Sequence, residues 1–234
     1  MVEGILGIGY FQPKWEFANT NLIKFGVKLG GNFSSQDRNS AETAVKAVSQ
    51  KLADLHGGTP WGAFKYVFGL SYSAPLVMDF ENCIDCKTGA EVKGRTLIQF
   101  SRLSPISELR RVNHIVHELG HVFHWAMVFH GIENNPYDLL GRTQKNDPTF
   151  PDRLIPPVGK GVVGPHYGFA SPQKVYTWQQ NPSERKNEEF ADQFLGWTFG
   201  EWHRDEFGLT TSGRRRSDWM KKNMELWIDE ISEK

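Results

Sequence analysis

Apolar positions recur at helical spacing in four stretches of this chain and gather at strand-like density in three more. From Asn39 to His56, Ala41, Val45, Val48, Leu52 and Leu55 alternate steps of four and three. Asn39 and Glu42 are spaced for a capping box, and Gly57-Gly58 supplies the stop. The strand candidates follow: Lys65–Tyr72 (KYVFGLSY), Leu76–Phe80 (LVMDF) and Arg95–Ser101 (RTLIQFS). They are rich in β-branched and aromatic residues and are separated by turn chemistry. Between the second and third, ENCIDCKTGAEVKG reads as a hairpin excursion.

A long helix is predicted next, from about Ile106 to His130, opened by Ser104-Pro105 and closed by Gly131. Val112, Val116, Leu119, Phe123 and Met127 form one apolar stripe, and His114, His117, His121 and His124 fall on the other side. From Gly131 to Pro182 the periodicity stops, and eight of the chain's 12 prolines lie in that stretch. A segment of that length without periodicity reads as loops over a cleft. Ser183 to about Trp202 is then a helix apolar on both sides, which predicts burial and draws attention to its carboxylates. A last amphipathic helix runs from about Arg216 to Ile231, with Trp219, Met220, Met224, Trp227, Ile228 and Ile231 as its packing stripe.

This pattern predicts one α+β domain over residues 1–234. A small, twisted, mostly antiparallel sheet carries a packed helix, and two later helices cross beneath it. Composition is that of an ordinary folded protein, with 39% hydrophobic and 23% charged residues. Lys and Arg together number 27, as do Asp and Glu, so no charge excess argues for a nucleic-acid or membrane-surface partner. No apolar run is long enough for a membrane span. The N-terminal stretch lacks a basic start and a sustained apolar run, so as written it is not a signal peptide. That favours the cytoplasm, or secretion if a leader has been removed. Gly4, Gly7 and Gly9 in GILGIG lack the full spacing of a phosphate-binding loop. Cys83 and Cys86 are too few for a structural zinc site of their own, and read as a hairpin disulfide or two thiols. The basic run Arg214–Arg216 reads as a solvated helix start.

The chemistry concentrates in HELGH, residues 117–121. Four residues apart on a helix, His117 and His121 present two imidazoles about one turn apart, able to share one Zn²⁺. Glu118 is rotated away from both, bordering the ion without ligating it, in place to accept a proton from water. A catalytic zinc takes three protein ligands and keeps one position open. The metzincin continuation fails, because His124 stands where Gly is needed and Met127 where the third His is needed. A glutamate on a later helix fits, in the pattern N-E-x-x-x-D of Asn187, Glu188 and Asp192. Glu188 is then the third ligand, and Asp192 accepts the outer N–H of a ligating histidine. Glu189 is the weaker choice, since Gln193 and not an acid lies four residues on. His114 and His124 extend the ligand face as supporting or wall residues.

HELGH with NEEFAD resembles the gluzincins, the thermolysin-like zinc peptidases with two histidines from one helix and a glutamate from a second. E-x-x-A-D-x-F is similar to the glutamate helix of small minimal gluzincins. The match covers these two segments and the strand before the first helix. His121 and Glu188 lie farther apart in sequence than in thermolysin, and Ala191 stands where Ser is usual. The resemblance implies a zincin-like fold, one catalytic Zn²⁺, a peptide or protein substrate, and Glu118 as general base and acid. It implies that Thr96–Phe100, with Thr96, Ile98 and Phe100, is an edge strand that pairs with substrate backbone. It further implies an oxyanion donor, for which His166, Tyr167 and Tyr176 are the candidates. Two other functions stay open: a zinc hydrolase of a non-peptide amide or ester, and a non-catalytic zinc-bound effector module.

Overall fold

The computed structural model describes residues 21–80, 89–100, 108–147, 150, 186–202, 204–205, 208–209 and 211–233. Four strands and four helices come first: β1 (Val27–Gly30), α1 (Ser35–His56), α2 (Pro60–Val67), β2 (Leu76–Asp79), β3 (Ala90–Val92), β4 (Leu97–Phe100), α3 (Glu108–Phe129) and α4 (Pro136–Asn146). Later in the chain come α5 (Lys186–Phe199), the two-residue strands β5 (Arg204–Asp205) and β6 (Gly208–Leu209), and α6 (Thr211–Ser232). The fold is α+β, as the pattern predicts.

Helix α1 starts four residues earlier than expected. Ser34, not Asn39, caps it: its hydroxyl accepts from Asp37 N at 3.1 Å while Asp37 Oδ2 accepts from Ser34 N at 2.8 Å. The helix buries Ala41, Ala44, Val45, Val48 and Leu52 completely. It is tied to α3 by a partly buried ion pair between Asp37 and Arg111.

The strand expected at Lys65–Tyr72 is instead the end of α2 and its exit turn. Thr59 caps this helix and Pro60 occupies its first turn, a start signal that outweighs the β-rich composition of KYVF. Ala63, Phe64 and Val67 then bury along one face, which is helical spacing. Gly69 ends the segment at φ 60°, and a Cβ there would lie 2.7 Å from the Phe129 ring.

The sheet runs β1-β2-β4-β3. The expectation of a mostly antiparallel sheet is corrected, because β1–β2 and β2–β4 are parallel and only β3–β4 is antiparallel. The reason is connectivity. Helices α1 and α2 fill the connection from β1 to β2, the crossover a parallel pair needs. The edge assignment of Thr96–Phe100 is corrected as well: β4 is hydrogen-bonded on both sides. Ile98 and Phe100 are core residues, with Phe100 stacked on Phe80 at 4.7 Å. Among the described strands the edges are β1 and β3.

Helices α3 and α5 form the most extensive helix pair, and α4 and α6 close against α5. Phe123, Phe190, Phe194 and Trp227 interlock at that junction, with ring centroids 5.3 to 6.3 Å apart. The stretch 131–182, read as loops, contains helix α4, announced by Asn135 as cap and Pro136 at the first position. No helix among the described residues is long and apolar enough to cross a membrane.

Candidate metal centre

Three elements build the site. Helix α3 carries His117, Glu118 and His121, all buried in the midst of its packed length. Helix α5 brings Glu188 in its first turn and Asp192 one turn later. Helix α4 adds Tyr137, which no sequence pattern had singled out.

The helices approach closely because small residues face each other. A Cβ on Gly120 would lie 2.9 Å from the Ala191 Cα and 3.1 Å from the Phe194 Cβ. Gly120, inside HELGH, and Ala191, inside NEEFAD, therefore let the two motifs meet.

The donor atoms converge. One Glu188 oxygen lies 3.2 Å from His117 Nε2 and the other 3.7 Å from His121 Nε2. The donor atoms of His117, His121 and Glu188 all lie within 4.8 Å of one another. Ligands on one tetrahedral ion at about 2.1 Å stand about 3.4 Å apart, so these separations fit the expected set. The imidazoles meet edge to face, centroids 5.0 Å apart and planes at 82°. Both outer nitrogens are engaged: His117 Nδ1 is 2.7 Å from Asp192 Oδ1, and His121 Nδ1 is 2.8 Å from the Tyr137 hydroxyl. Asp192 is completely buried, where a carboxylate needs such a partner.

Charge supports the same reading. Burial pushes His117 down, but hydrogen bonds to Asp192 and Glu188 and the nearby carboxylate charges outweigh it, raising it well above 6.5. Burial pushes Glu188 up, yet its hydrogen bonds and charge interactions with His117 and His121 hold it far below the usual carboxylate range. Glu118 behaves alike: burial is outweighed by its 3.1 Å contact with His114 Nε2 and by the charges of the neighbouring histidines. The Glu188 and Asp192 carboxylates thus meet the two imidazoles, and Glu118 stands beside them against His114. His117, His121 and Glu188 form a group that can hold a metal ion.

Glu189 points elsewhere. It is fully buried, accepts from Gln144 at 2.8 Å and from Gln193 at 3.3 Å, and faces the buried Arg216 guanidinium at 4.0 Å. Arg216, read as part of a solvated basic run, is a core residue at 1% exposure. His114 contacts Glu118, and Phe100 packs edge-on against it at 5.7 Å. His124 stacks on Tyr137, and burial pushes it down to about 4. His166, Tyr167 and Tyr176, the oxyanion candidates, lie outside the described residues, as do Cys83, Cys86 and GILGIG. Tyr137 escaped the sequence reading because its contact with His121 spans two helices. The available signal was Asn135-Pro136 opening a helix 14 residues after HELGH.

No family model matches this chain, and neither does any curated protein or solved structure.

Proposed function

We propose that this protein is a zinc-dependent metallopeptidase of the gluzincin kind, acting on peptide or protein substrates. The observation that carries the proposal is Glu118. It is a buried carboxylate beside the His117–His121–Glu188 group, on the same helix turn, yet outside the donor set. A group that merely stored an ion would gain nothing from a further buried acid beside it.

His117, His121 and Glu188 would hold the ion, with Asp192 and Tyr137 fixing the two imidazoles from behind. A bound zinc ion supplies polarisation of the scissile carbonyl and acidifies water to a pKa of about 7. Glu118, kept ionised by its histidine neighbours, accepts the proton of the attacking water and passes it to the leaving amine. His114 holds the Glu118 carboxylate from the preceding turn.

Glu118→Gln tests this directly. Metal content of the purified chain should persist, while cleavage across a peptide library should fall by about 10²–10⁴-fold or more. Unchanged cleavage in that variant would overturn the mechanism. Retained metal in a wild-type chain that cleaves no peptide but hydrolyses a simple amide or ester would move the assignment to a non-peptide hydrolase.

A further inference from the structure

Tyr137 reaches the site from α4, a helix that supplies no ligand. An imidazole that binds an ion through Nε2 carries its proton on Nδ1. His121 Nδ1 therefore donates, and the Tyr137 oxygen, 2.8 Å away, accepts. On His117 the same place is filled by the Asp192 carboxylate.

The phenol is held independently of the ion. Its ring stacks flat on His124, centroids 3.4 Å apart and planes at 11°, and meets Phe190 edge-on at 6.0 Å. As a phenol it offers an uncharged oxygen that can accept a hydrogen bond. Helix α4 is itself anchored to the glutamate helix by Gln144–Glu189 and to α6 by Trp219 Nε1, which donates to Thr143 Oγ1 at 3.1 Å.

We infer that Tyr137 is a positioning residue for His121. It is an uncharged counterpart of Asp192 that sets the ring angle and tautomer of the second histidine from a third helix. The inference rests on the reading of His117, His121 and Glu188 as an ion site. A phenol oxygen is a weaker acceptor than a carboxylate, so the two histidines differ in donor strength by construction. His121 is the one whose geometry depends on α4.

The test titrates Zn²⁺ into the full-length chain against a chelating indicator, for the wild type and for Tyr137→Phe. Phenylalanine keeps the ring and its stack on His124 and removes only the acceptor. Zn²⁺ affinity should weaken about 10-fold, the lower end of the range for partners of ligating histidines. The absorption bands of the Co²⁺-loaded variant should shift, which a purely structural role would not cause. Affinity within twofold of wild type together with an unchanged Co²⁺ spectrum would overturn the inference. The wild type gives a second measurement that needs no variant. In the Zn²⁺-loaded protein the His121 Nδ1 proton should be visible by imidazole NMR and slow to exchange, and fast exchange would count against the hydrogen bond. A wild type that binds no Zn²⁺ would instead overturn the ion site beneath both readings.

Discussion

Glu188 and Glu189 are adjacent in sequence and about 100° apart around their helix, and that rotation separates their roles. Glu188 faces two imidazoles, while Glu189 faces Arg216 inside the protein. Glu188→Ala should abolish metal binding, so that its melting no longer responds to Zn²⁺. Glu189→Ala should keep the metal but remove the carboxylate that faces the buried Arg216 guanidinium and accepts from Gln144 and Gln193, lowering stability by about 1–3 kcal/mol. Metal analysis paired with denaturant melts separates the two outcomes, and the reverse pattern would exchange the assignments. At this scale the sequence was a good guide wherever the contact is local. The His117–His121 spacing and the Glu188–Asp192 spacing are each one helical turn, so helix geometry alone places them. Tyr137 escaped notice, and Arg216 was misread as solvated, because their partners come from other helices, and the periodicity of one segment is silent about its neighbours.

Helices α3 and α5 meet through Gly120 and Ala191 with no room for another atom. Gly120→Ala gains about 1 kcal/mol of helix propensity. The new Cβ, however, meets backbone 2.9 Å away, which cannot rotate aside. Overpacking of this kind costs about 1–3 kcal/mol. Moving α5 outward also carries Glu188 away from the histidines. The variant should melt below wild type and bind Zn²⁺ more weakly, as thermal melts and the same chelator competition would show. Melting at or above wild type with unchanged affinity would mean that the helices have slack. Among elements, α1, α3, α5 and α6 were legible from their apolar stripes. Helix α2 was misread because Tyr66, Val67 and Phe68 suit a strand by composition, while Thr59-Pro60 sets a helix. Strand direction was misjudged because pairing depends on which strands the crossover brings together, and β1, four residues long, is too short to leave a period.

Across the whole molecule, the ion-free protein should show a pH signature. His117 is held above its ordinary 6.5, so its contribution to stability is complete below that value and lost as pH rises through its folded value. Glu188 and Glu118 are held below 4.5, so theirs is present above that value and lost as pH falls. The ion-free chain should therefore be most stable near pH 6.5, declining on the alkaline side as His117 loses its proton and on the acid side, where burial keeps His124 neutral down to about 4. Zinc should reverse the alkaline decline, because the ion takes the place of the proton on His117. Melting temperatures from pH 4 to 9, with and without Zn²⁺, would reveal it. An ion-free melting temperature still rising between pH 6.5 and 8 would contradict the assigned charges.

The two ligand helices also lie far apart along the chain, with His121 and Glu188 separated by 67 residues (188 − 121). An ion gripped by both becomes a removable crosslink across that span. On the chain-entropy scale used for covalent bridges, closing a loop of this size restricts the unfolded chain by about 4 kcal/mol. A chelator would then act on this protein much as a reductant acts on a disulfide, cutting a tie in the chain as well as emptying a site.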